Sequence, residues 1–461
     1  MFIQKHEWKH SESNSFFLSL KKQCNLSQAQ FYTPFYSLFF KMKNNQHSHK
    51  QIDFRRQYYL RSIHSIVSKD TYHSNKTVQG TIYDFQSKKE YSQSLFMKQI
   101  SVLDTNHIFL NHYNLLTQRP SLLPSTYNYI TFSKVNSLQN SSYIDCFLSY
   151  LFSLLTEKNK LPTFPIYYGC VNGMTDHYQD ITEDIPDLET FPGFFKGNQT
   201  LYDINVYTTN KEKLEQHKDL EDISSDSEND EEDDYIAHFK KIPVLQLFLE
   251  SLEGTLEDVI HSPDFKLCEL LSLLFQISFA LLYLQTTYSF VHNDLHVNNI
   301  MFQTTEESYL YYKYQDTCYK IPTYGKIYKI IDYGRSMFRL NQRFFLNDSF
   351  DKHGEADTQY DWKNINLNYN FDLCRLSTTI LDELQESSIP DMETNPIYEL
   401  LVSMIRDKSG NLIYNGEDSF QLYVDITEKA VNSKPDLILN HSLMKQFQIK
   451  EDENKTYFKL D

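Results

Sequence analysis

Apolar residues fall at 144, 147, 148, 151, 152 and 155 of SSYIDCFLSYLFSLLTEK (141–158), the three-four spacing that gives a helix one buried face. A longer run, LCELLSLLFQISFALLYLQ at 267–285, predicts a helix buried on most sides. Between 71 and 135 the pattern changes to short runs, GTIYDF, SLFMKQI and YNYITF, divided by polar turns, and predicts an antiparallel sheet. FPIYYGCV and IPVLQLFLESLEG carry the strand character onward, and the remainder of the chain, to 461, reads as mainly helical. In the first 70 residues the aromatic stretch SQAQFYTPFYSLFFKMK predicts a short helix, capped by Ser27 and ending near Lys43, inside a packed N-terminal extension.

Composition bounds the class of molecule. With 461 residues, 40% of them hydrophobic and 15% aromatic, the chain can build a core in two or three lobes, so a wholly disordered protein is excluded. The net charge of −17 is the wrong sign for a general binder of nucleic acid, and no such partner is expected. Ten carboxylates and no basic residue lie between Asp219 and Asp234, which leaves −7 for everything else. Such a run repels itself and cannot offset the entropy of ordering, so an acidic insert near 210–236 is expected to be disordered. Uninterrupted apolar stretches fall short of the roughly 18–20 residues that cross a bilayer, and the start lacks a secretory apolar segment, so a soluble cytoplasmic protein without a membrane partner is expected. Six widely spaced cysteines, with no CxxC pair, read as reduced thiols rather than zinc ligands.

The chemistry concentrates in FVHNDLHVNNIMF, residues 290–302, where His292, Asp294 and Asn299 form the pattern HxDxxxxN between apolar flanks. Farther on, KIYKIIDYGRS places Asp332 at the end of an apolar strand, from which a second acid can converge on the same site. Phosphoryl transfer requires positioning more than covalent chemistry. One carboxylate orients the accepting hydroxyl, while an amide oxygen and a second carboxylate offer the hard ligands that Mg²⁺ prefers. Asp294, Asn299 and Asp332 supply those three groups. The bland alternative is an Asx turn with His292 in the core.

HNDLHVNNIM and IIDYG resemble the catalytic loop and metal-binding motif of eukaryotic-type protein kinases. The resemblance implies an α+β bilobal fold with a small antiparallel β lobe and a mainly helical large lobe. It divides the chain into an extension (1–70), a small lobe (71–250) carrying the acidic insert, and a large lobe (251–461). It implies ATP and Mg²⁺ as cofactors and a protein substrate, with Asp294 catalytic, Asn299 and Asp332 on the metal, and His292 and Asp372 in support. For ATP it implies Lys98 in SLFMKQI, Gly80 and Ile82 in QGTIYDF as remnants of a glycine-rich loop, and main chain around Glu250 and Leu252 against the adenine. The acid paired with Lys98 is Asp145 or Glu157, with Asp145 preferred. Departures include Asn75 and Thr77 in place of glycines, Asn293 in place of the loop arginine, His296 in place of a lysine, and Tyr333 in place of phenylalanine. With only 11 Gly beside 34 Tyr and 33 Phe, a balance that suggests an AT-rich coding genome, and with the acidic insert, the chain is similar to Ser/Thr kinases of large cytoplasmic DNA viruses, which would put it in host cytoplasm or virion. A kinase of small molecules such as choline or aminoglycosides, and a non-catalytic pseudokinase, stay open as alternatives.

Overall fold

The computed structural model describes residues 3–40, 50–68, 73–110, 112–113, 129–188, 194, 201–207, 234–350, 367–387, 392–414, 416 and 420–460. The chain divides into two compact units, one of residues Met1–Tyr143 with Tyr168–Ser251, the other of Ile144–Tyr167 with Leu252–Asp461.

The first unit is built on a seven-stranded sheet. Its order runs Ser27–Gln30, Tyr167–Asp180, Asp234–Glu250, Lys89–Ser101, Lys76–Asp84, Tyr58–Ile66, and Tyr202–Tyr207 lies along the first half of Asp234–Glu250. Period-two burial fixes the register, since Val78, Gly80 and Ile82 on one strand and Leu95, Met97 and Gln99 on its partner all turn inward. Helix His10–Cys24 buries Ser13, Phe16 and Leu20, and Phe16 joins Trp8 and Phe31 in a ring cluster with centroids 4.9–6.0 Å apart. The guanidinium of Arg61 covers the Trp8 ring at 4.8 Å. Two local expectations fail in this unit. Ser27 opens a strand rather than capping a helix, and the described part of YNYITF belongs to helix Tyr129–Asn136. The acidic run lies outside the described residues apart from Asp234, the first residue of a strand.

In the second unit, helix Glu269–Tyr288 forms the core, with Leu270, Leu273, Leu274, Ile277, Ala280, Leu281 and Leu284 among its buried residues. It is the one described helix long and apolar enough to cross a membrane, and it is mostly buried inside its unit. Thr255 and Asp258 cap helix Leu256–Ile260 reciprocally, the Asp258 amide donating to Thr255 Oγ1 at 3.2 Å and the Thr255 amide to Asp258 Oδ2 at 2.7 Å. Helices Phe371–Glu386, Pro396–Met404, Phe420–Lys429 and Pro435–Leu439 complete the helical part.

The expected bilobal protein-kinase-like fold with a mainly helical large lobe is overturned here. Among the described residues, nine strands in three sheets accompany the helices of this unit: Gly254–Thr255, Ile300–Thr304 and Lys326–Ile330; Gln448–Ile449, Thr317–Pro322, Tyr309–Tyr314 and Phe458–Leu460; and the hairpin Phe338–Leu340 with Arg343–Phe345. The described residues form an α+β molecule rich in antiparallel sheet in both units, with the larger sheet outside the unit that bears the HxDxxxxN loop. The physical reason lies in segments such as YLYYKY, whose tyrosines alternate between core and surface as a strand requires.

Candidate functional site

Strands Ile300–Thr304 and Lys326–Ile330 pair antiparallel with Ile300 opposite Ile330, and this register brings two distant motifs together. The Ile331 amide donates to the Asn299 carbonyl at 3.1 Å, which sets Asp332 one residue from the end of the HxDxxxxN loop. The loop is anchored from beneath by Asp372, in the first turn of helix Phe371–Glu386. Its buried carboxylate accepts the His292 amide on both oxygens at 3.0 Å and the Asn293 amide at 3.1 Å. Burial pushes the Asp372 carboxyl up, against His292 and the two amides, which pull it down.

Asn293 and Asp332 both adopt φ of +63°, a conformation that side-chain-bearing residues visit at a cost of about 1–2 kcal/mol each. Asn293 tolerates it because its amide nitrogen donates to the Arg335 carbonyl at 3.1 Å. The Tyr333 amide, next to Asp332, donates to Asp145 Oδ1 at 3.0 Å. Tyr333 itself is buried, its ring 5.0 Å from Phe152 and 5.7 Å from His292. His292 is fully buried, donates from Nε2 to the Ile331 carbonyl at 2.9 Å, and has no partner for Nδ1 among the described residues. Two strained residues and two buried acids thus hold the connection between the motifs.

The amide nitrogen of Asn299 is held on two sides. Its amide nitrogen donates to the Asp294 carbonyl at 2.8 Å and to His296 Nε2 at 2.9 Å, which uses both N–H bonds and leaves the side-chain oxygen to face another partner. Burial lowers the His296 imidazole, partly opposed by Asp294, so the ring stays neutral and Nε2 can accept. The donor set of Asn299 oxygen and Asp332 carboxylate is hard and suits Mg²⁺. Asp294 is itself fixed, its Oδ1 accepting Arg335 Nη1 at 3.2 Å and the Tyr423 hydroxyl at 3.2 Å. Burial, with the Asp294 charge adding to it, pushes the Tyr423 phenol up and keeps it a donor.

The second unit therefore assembles His292, Asp294, Asn299, Asp332, Asp372 and Asp145. The other sequence-derived candidates belong to other elements. Lys98 is half-buried on Lys89–Ser101 in the first unit, opposite Leu247. Gly80 stands mid-strand, where a Cβ would meet Leu60 Cδ1 at 2.7 Å and the Ser62 carbonyl at 2.9 Å, so sheet packing alone accounts for a glycine there. Ile82 is buried in the sheet core, Glu250 ends its strand opposite Leu95, and Leu252 is half-buried two residues later. Glu157 ends helix Ser141–Glu157 and accepts from Ser153 at 3.3 Å. Sequence reading missed Arg335 and Tyr423. The first was in view in DYGRS, but nothing in FQLYVDITEK links Tyr423 to a loop 129 residues away.

No family model matches the chain. Over 81 residues it is 41% identical to a protein of Invertebrate iridescent virus 6 described as uncharacterized protein 098R. That stretch is 17% of this chain and spans 13% of the length of the viral protein, so the similarity is local to one segment.

Proposed function

We propose that this chain transfers the γ-phosphate of ATP to a serine or threonine hydroxyl of a protein substrate. The observation that carries the reading is the framework joining Asp294, Asn299 and Asp332, in which the Asp372 carboxylate clamps one end of the loop and the Ile331–Asn299 bond ties the other. Three oxygen-bearing side chains with separate supports are what a reaction governed by positioning requires.

In this reading Asp294 orients the accepting hydroxyl and takes its proton as the oxygen attacks. Asn299 and Asp332 would hold Mg²⁺, which when bound neutralises charge on the phosphates. Asp145 keeps the Tyr333 amide, and with it the Asp332 backbone, in the left-handed turn. The HNDLHVNNIM and IIDYG motifs support the assignment of chemistry, and they do so without the lobe architecture that the resemblance implied.

The test is Asp294→Asn, followed by transfer of labelled phosphate from Mg²⁺-ATP to a generic protein substrate. Loss of a general base lowers turnover by about 10²–10⁴-fold with nucleotide binding kept; unchanged transfer removes Asp294 from the chemistry. ADP release with amino alcohols in place of peptides would move the substrate to small molecules. A wild-type chain whose melting temperature does not respond to Mg²⁺-ATP would leave a non-catalytic binding protein.

A further inference from the structure

The two donors on Asp294 arrive from different directions along the chain. Arg335 follows the Asp332 motif by three residues, and Tyr423 lies on helix Phe420–Lys429. Both converge on Oδ1, and among the described residues Oδ2 accepts no hydrogen bond. Two donors on one oxygen restrict the motion of the carboxylate and leave the lone pairs of its second oxygen for another partner.

Tyr423 is held in turn. Its ring packs 6.1 Å from Phe371, and the guanidinium of buried Arg375 lies 5.1 Å from the ring centroid. Both belong to the helix whose Asp372 clamps His292 and Asn293. Asn368, just before that helix, donates to the carbonyls of Thr427 and Ala430 at 3.0 Å and so ties down the end of the Tyr423 helix. One helix therefore supports Asp294 twice: through the loop backbone by Asp372, and through the side chain by Tyr423.

We propose that Tyr423 is a positioning residue for phosphate transfer, which with Arg335 anchors Asp294 by Oδ1 so that Oδ2 receives the substrate hydroxyl. The inference rests on the phosphotransfer reading. Arg335 is 42% exposed at its side chain and Asp294 18%, so the anchored carboxylate still has an open side for a hydroxyl to approach. The Tyr423 hydroxyl supplies the anchor that an exposed guanidinium, competing with water, holds less rigidly.

The experiment compares Tyr423→Phe, Asp294→Asn and the double variant in the full chain. Phenylalanine keeps the ring against Phe371 and Arg375 and removes the hydroxyl, which donates to Asp294 and also meets Arg375. Misplacing a reacting group without deleting it is expected to lower kcat roughly ten- to a hundredfold, with the affinity for Mg²⁺-ATP unchanged. In the Asp294→Asn background the same substitution is expected to have little further effect, because the group it positions is gone. Arg335→Met gives a second variant at an exposed site, expected to lower kcat and leave nucleotide affinity in place. An active wild type whose Tyr423→Phe variant keeps its kcat overturns this inference alone, as do losses that multiply in the double variant. A wild type that transfers no phosphate overturns the phosphotransfer reading, and this inference with it.

Discussion

At the scale of single residues, the site depends on which atoms are already engaged. Asn299 spends both amide hydrogens on the Asp294 carbonyl and His296 Nε2, so the direction of its oxygen depends on a neutral imidazole three residues away. His296→Ala removes one of these two acceptors and lets the amide rotate. Supports of this kind typically change metal affinity by about 10–100-fold when lost. We expect the Mg²⁺ dependence of nucleotide binding, followed by a fluorescent ATP analogue, to move to roughly tenfold higher Mg²⁺ in that variant while binding without Mg²⁺ is unchanged. An unmoved Mg²⁺ midpoint would separate His296 from the proposed metal ligand. Part of this arrangement is legible in the sequence, since the spacing of His292, Asp294 and Asn299 is a local pattern. The Tyr423 contact is not, because it depends on how a helix more than a hundred residues later packs.

At the scale of elements, helices were legible and strands less so. Ser141–Glu157 agrees with the three-four spacing of its apolar residues, and Glu269–Tyr288 with a long apolar run expected to be buried on most sides. The hairpin of Tyr309–Tyr314 and Thr317–Pro322 was hidden in a stretch expected to be helical, although Leu310, Tyr312 and Tyr314 alternate inward. Tyrosine, of which the chain has 34, serves on either face of a sheet, so a two-letter pattern of apolar and polar positions blurs where it is dense. Strand Tyr167–Asp180 carries another feature that no pattern announces. His177 is buried there against Phe239, its Nδ1 has no partner among the described residues, and burial lowers its pKa from 6.5 to about 4. The unfolded chain takes up a proton near 6.5 that the folded strand refuses until about 4, so stability is lost as pH falls through that window. A shift of this size corresponds to about 3 kcal/mol at the acid end. Replacing His177 by Leu keeps an apolar side chain in the core and removes the proton, so thermal melts between pH 7 and pH 4 should show a shallower fall in the variant than in the wild type. Parallel curves would assign the acid sensitivity elsewhere.

At the scale of the whole molecule, the charge of −17 and the sheet of the first unit meet at one connection. Strands Tyr202–Tyr207 and Asp234–Glu250 pair antiparallel with Tyr207 opposite Asp234, and the 26 residues 208–233 run between those two ends. Those residues carry eight net negative charges, so a chain with a short turn in their place would have a net charge of −9. Closing a loop of about four residues rather than 26 costs roughly 1–2 kcal/mol less in chain entropy. Removing like charges from one connection also relieves repulsion that salt would otherwise screen. Both effects favour the folded state, and the supports described above for the Asp294 framework belong to the second unit. The shortened chain should therefore melt at an equal or higher temperature at low ionic strength, gain less from added NaCl than the wild type, and, on the proposed phosphotransfer, keep the same kcat. Melting curves at 20 mM and 500 mM salt, where the screening length is roughly twofold above and below 10 Å, test the first two expectations, and a transfer assay the third. A lower melting temperature at both salt concentrations would mean that the acidic connection contributes contacts to the fold, and a fall in kcat would give it a part in the reaction.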